Sequence, residues 1–109
     1  MAAIHWNQVG DDVTTAVMNV LSGSWNTVST AAVPQIQAMI SIGQRIEQDK
    51  NSGALTQSGY EMLEAMQKNA LRGILSSYEA ISIVVAEQAA TAAWNVVASA
   101  LKGAGVAFL

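Results

Sequence analysis

VTTAVMNVLSGSWNTVSTAAVPQIQAMISIGQ, residues 13–44, runs from end to end without a charged side chain. Its apolar positions Val13, Val17, Val20, Leu21, Trp25, Val28 and Ala32 recur every three or four residues, the spacing of one helical face. Between them stand Thr14, Thr15, Asn19, Ser22, Ser24, Asn26, Thr27, Ser29 and Thr30. The other face is therefore polar, but only with hydroxyls and amides. That is too polar for a bilayer span, which needs about 20 predominantly apolar residues. A hydroxyl or amide can be covered by another protein surface and still find a hydrogen-bond partner there, whereas an unpaired charge covered in the same way is costly. The stretch predicts helix with protein neighbours on more than one side.

Working outward, Asp11 and Asp12 precede the run, where carboxylates favour a helix dipole. Gly23 weakens the middle, and Pro34 predicts a break, because proline is tolerated only in a first turn. A second run, Ile36, Met39, Ile40, Ile42 and Ile46, reaches the turn and C-cap signal Asn51–Gly53. Ser58 and Glu61 have capping-box spacing, so a long helix is predicted from near Gly59 to Lys102, ended by Gly103 and Gly105. Its polar residues, from Glu61 and Glu64 through Lys68 and Arg72 to Asn95 and Lys102, fall on a narrow stripe, leaving an apolar arc wider than a surface helix usually carries. The predicted helices are about 11–32, 34–50 and 58–102, in one domain spanning 1–109. This reads as an all-α antiparallel helical hairpin with a break near Pro34. Two helices enclose no core, so the hairpin is expected to complete one by oligomerisation.

Composition points the same way. Of 109 residues, 51% are hydrophobic and only 12% charged, about half the usual charged share. The net charge is −3, and Arg45, Lys50, Lys68, Arg72 and Lys102 are dispersed; nucleic-acid binding, which needs a basic face, is not expected. The absence of cysteine excludes disulfides, thiolate nucleophiles and Cys-ligated metals. MAAIHWNQVGDD lacks a basic segment and meets two aspartates before any apolar run, so neither a signal peptide nor a transmembrane helix is predicted and a cytoplasmic location is expected.

No catalytic, cofactor-binding or metal-binding set emerges, and the chain is not expected to be an enzyme. His5 stands alone near one end and reads as a surface histidine. Glu61 and Glu64 lack the Glu-x-x-His partners of carboxylate-bridged metal helices, and Glu64 with Lys68 reads as an ordinary helix ion pair. Met18, Met39, Met62 and Met66 are expected to fill packing gaps, the sharper alternative being a Met-lined groove. Trp6, Trp25 and Trp94 are expected to pack inside or between chains rather than at a membrane interface. The abundant Ser and Thr have no base to activate them. The expected working parts are helix faces for self-association: Val13, Val17, Trp25, Ile36 and Ile40 from the first half, and Leu63, Ile74, Ile81, Val85, Trp94 and Val97 from the second.

Asn7–Leu21, NQVGDDVTTAVMNVL, resembles the opening of the Reb proteins, the small acidic subunits of R-bodies. That motif runs approximately Asn, a spacer, Gln-Ile-x-Asp-x-Val-Thr and then Val-Leu-Gly, matched here by Gln8, Val9, Asp11, Val13, Thr14, Val20 and Leu21. Ser22 stands where the glycine falls, the following Ala-Pro is missing, and neither the Gln-rich run nor the Tyr-Ser-Ile-Asp ending is present. The resemblance implies a cytoplasmic protein that polymerises, alone or with related small helical subunits, into a coiled ribbon that extends on acidification and ruptures membranes. Independently, protonation of Asp11, Asp12, Glu61 and Glu64 as pH falls would turn a negative subunit positive and alter repulsion across any interface holding them. The expected function is therefore a self-assembling filament or ribbon. The alternative is a membrane-active or lipid-surface protein, a pore former or granule coat, in which the same faces meet acyl chains. A small ligand-binding dimer or a WXG-type secreted hairpin fits less well, because Trp25 is followed by Asn26 and the turn lies near Asn51.

Overall fold

A computed structural model describes residues 3–106, and these form four α-helices with no strand. Helix α1 spans Trp6–Leu21, a 3-10 turn covers Ser22–Ser24, and α2 spans Trp25–Ser52. Helix α3 spans Gln57–Ser76 and α4 spans Ile83–Gly103. The all-α expectation holds. The hairpin, however, is folded once more: each expected arm turns back on itself, giving an antiparallel four-helix bundle in which α1 meets α2, α2 meets α3, α3 meets α4 and α4 returns to α1. Direction and register follow from side chains. Trp6 Nε1 donates to Glu47 Oε1 at 3.1 Å between α1 and α2, Gln35 Nε2 to Gln67 Oε1 at 3.4 Å between α2 and α3, and Trp94 Nε1 to Tyr60 Oη at 3.1 Å between α4 and α3.

The first break falls at Ser22–Ser24 and not at Pro34. Ser22 takes φ 51, a positive-φ backbone that disfavours a side chain, and it is there that the chain leaves α1. Pro34 lies inside a continuous α2. It is tolerated because it points to solvent, as does Thr30, whose carbonyl loses the proline's missing amide as a partner and can turn to water instead. Val28, Ala32, Ile36 and Met39 meanwhile hold the opposite face in the core. The positive-φ residue supplies a prediction: Ser22→Gly should raise the urea midpoint, adding about 0.5–1 kcal/mol with the m-value unchanged. An unchanged or lower midpoint would show that the Ser22 backbone carries no strain.

The second expected helix, 58–102, is likewise two. Ser76 Oγ and Ser77 Oγ donate back to the Gly73 and Ile74 carbonyls at 3.4 and 2.6 Å, closing α3. Ser82 then caps α4 by accepting from the Val85 amide at 3.1 Å. Between them Ile81 is buried and pins the connection to the core. At the other end of α3 the N-cap is Thr56, accepting from the Gly59 amide at 3.1 Å, two residues ahead of the expected Ser58. Gly53, at φ 79, ends α2 as its turn signal predicted. Helix α1 begins at Trp6, before the aspartates, because Val9 is buried one turn ahead of Val13 and on the same face.

The core lies within the single chain. Its largest fully buried side chains are Trp94, Met39, Ile46, Leu71, Leu75 and Leu101, with the alanines of α4, Ala86, Ala89, Ala90 and Ala93, allowing close helix approach. The longest dimension, 42 Å, is that of α2, whose 28 residues rise about 1.5 Å each.

Candidate association surface

Six of the eleven residues expected to meet other chains, Val13, Val17, Ile36, Ile81, Trp94 and Val97, are buried inside the bundle. Trp25, Ile40, Leu63 and Val85 are half-buried and packed on the same core, and Ile74 is half-buried. These faces are occupied because the breaks at Ser22–Ser24 and Ser77–Ser82 supply, from the same chain, the neighbours that periodicity demanded. What remains for association is the outer surface, which the apolar pattern does not mark.

Two features distinguish that surface. The first is the uncharged segment itself, which forms the last turns of α1, the 3-10 turn and the first two-thirds of α2. Its solvent-facing residues include Thr15, Asn19, Asn26, Thr27, Thr30, Gln37, Ser41 and Gln44, with the apolar Met18 and Val33 among them. Gly10 faces Ile40 across the α1–α2 pair, and in that antiparallel register Met18 lies level with Ala32 and Val33. Asp11 and Asp12 on α1 and Arg45 on α2 mark where charge resumes. The outer face of one end of this helix pair is thus largely polar, and neutral throughout.

The second feature is a pair of exposed apolar sites elsewhere. On α3, Met62 and Met66 are 65% and 56% exposed; at the start of α4, Ile83 and Val84 are 68% and 64% exposed. Of the four methionines weighed from the sequence, Met39 alone is fully buried. Trp6 lies half-buried against Gly43, and Trp94 is buried beside Tyr60 with ring centroids 6.2 Å apart. Burial holds the Tyr60 phenol above its ordinary value; the Trp94 hydrogen bond opposes this, and the charge of Glu64 adds to it.

The four acidic residues marked from the sequence are not one cluster. Glu61 and Glu64 line an open groove of about 550 Å³ between α3 and α4, with Tyr60, Asn95, Ser99 and Lys102. Asp12 lies across α4, lining a groove with Asn95, Val96 and Ser99. Glu61 and Glu64 on one side and Asp12 on the other therefore flank the same outer ridge of α4. Glu64 pairs with Lys68 at 3.7 Å, as the i, i+4 spacing predicted, and Asp12 accepts from Gln8 Nε2 at 2.9 Å. His5 is exposed, and no group of three or more His, Cys, Asp or Glu among the described residues could hold a metal ion. No helix among them is long and apolar enough to cross a membrane. Comparison with known protein families, with curated proteins and with solved structures finds no match to this chain.

Proposed function

We propose that this chain is a non-enzymatic structural subunit that associates with copies of itself, as a closed four-helix bundle, into a filament or ribbon. The observation that carries this reading is the neutral outer surface of residues 13–44. Solvated helix faces ordinarily carry interspersed charges, which keep proteins soluble and apart. A face made of hydroxyls, amides and single apolar residues can instead be covered by a second bundle without stranding a charge. The R-body-like segment supports the reading in one particular: Asn7–Leu21 is nearly the whole of α1, and Ser22, standing where that motif has glycine, takes the positive φ that glycine adopts without strain. On this reading the subunit acts in the cytoplasm, and the assembly changes form on acidification.

Light scattering at neutral and acidic pH, with electron microscopy of the same samples, tests the proposal. Large ordered particles that change form with pH are expected. A monomer or small closed oligomer at both would overturn it. A lipid-surface reading draws on Ile83 and Val84, an apolar pair at the tip of α4. Flotation with vesicles of a protein that never grows in their absence would put that reading in its place.

A further inference from the structure

The outward side of α3 is a second neutral stripe, and the charges beside it are arranged to meet themselves. Met62, Ala65, Met66, Asn69 and Gly73 are all exposed and recur every three or four residues along it. On the flank of this stripe nearer α4 stand Glu61 and Arg72, eleven residues or about three turns apart and so on one side of the helix. Neither side chain has an ion-pair or hydrogen-bond partner within the described residues. Both are equidistant from a point between Met66 and Gln67, about 8 Å along the axis in either direction.

Resting on the self-association proposed above, we infer that α3 is a two-fold interface on which a second copy of this chain docks antiparallel, with its axis beside Met66. When two identical helices pack antiparallel, each flank faces the same flank of its partner. Glu61 of each copy then meets Arg72 of the other, giving two identical ion pairs, while the Met66 side chains lie next to each other across the axis. A parallel arrangement would turn this flank toward the opposite flank of the partner, where Leu63 and Ala70 stand, and leave Glu61 and Arg72 without each other, so the charge pattern favours the antiparallel one. The small residues Ala65 and Gly73 let the backbones approach. Helices α1 and α3 occupy opposite corners of the bundle and do not touch. Contacts through α3 and through the neutral α1–α2 surface therefore face different ways, and alternating them extends an assembly instead of closing it.

Two experiments test this on the full chain. Because the protein has no cysteine, Met66→Cys introduces a single thiol, and mild oxidation should convert it to a disulfide-linked dimer, while Gln88→Cys on the exposed face of α4 should remain mostly monomeric. In sedimentation equilibrium, Glu61→Arg or Arg72→Glu alone should weaken association about tenfold or more, and the double reversal should restore it, with helicity by circular dichroism unchanged throughout. Wild-type protein that associates equally well after either single reversal, or a double reversal that fails to restore affinity, overturns this interface and leaves self-association standing. Wild-type protein that stays monomeric at every concentration overturns both.

Discussion

Trp94→Ala is expected to remove about 3–5 kcal/mol of folding stability, the usual cost of truncating a fully buried tryptophan. Trp94 is 1% exposed, faces Tyr60 at the α3–α4 contact, and gives its indole hydrogen to the Tyr60 hydroxyl. Alanine would leave a cavity where two helices meet and take away that hydroxyl's donor. A small domain has only about 5–15 kcal/mol to lose, so the loss is a large share of the whole. Urea denaturation followed by circular dichroism measures the loss. Trp94→Phe, which keeps an aromatic ring in the space but not the indole N–H, should cost distinctly less. A loss below about 1 kcal/mol for the alanine variant would mean that the core is not centred on this residue.

The second large effect belongs to a glycine. A Cβ built on Gly43 falls 2.7 Å from two carbons of the Trp6 ring and 3.0 Å from Val97 Cγ1, so α1, α2 and α4 converge on a point with no room for a methyl group. The ring cannot swing away freely, because its Nε1 is held by Glu47. Gly43→Leu should therefore cost about 1–3 kcal/mol or more by overpacking, despite the better helix propensity of leucine. Thermal melting gives the direction at once. Adding Trp6→Ala to Gly43→Leu should recover part of the loss, a non-additivity expected only where two side chains compete for one space. Simple additivity would place the clash elsewhere.

Both residues show what the sequence could and could not convey. Helical periodicity made the all-α class legible, and the buried faces of Val13, Val17, Ile36 and Val97 were all marked by spacing. Whether those faces would be covered by the same chain or by another was not legible, because an apolar face specifies burial without specifying whose atoms do the burying. Two short breaks decided it. Ser22–Ser24 carried a signal in Ser-Gly-Ser that was outweighed by Pro34, a residue whose cost in a helix depends on whether its side faces water. Ser76 reads as a member of the polar stripe and Ser77 and Ser82 carry no mark of their own; only the bonds that Ser76 and Ser77 donate back to Gly73 and Ile74, and the one that Ser82 accepts from Val85, reveal a stop and a start. The ion pair of Glu64 with Lys68 was local and was read correctly. Gly43 carried no local signal, since its role is set by Trp6, far away in sequence.

The missing charge in residues 13–44 was visible from the start, and the bundle gives it a sharper meaning. Burial within the chain accounts for Val13, Val17, Leu21, Val28 and Ala32. It leaves Thr15, Asn19, Thr27, Thr30, Val33 and Gln37 facing outward and neutral. Sedimentation velocity of wild-type protein and Val33→Lys over a hundredfold concentration range shows whether the subunit self-associates through that surface. The wild type is expected to grow well beyond the 11.4 kDa of one chain as concentration rises, while Val33→Lys, with a charge set into the neutral face and its helicity intact, lags far behind. Wild-type protein that sediments as a single chain throughout would contradict it.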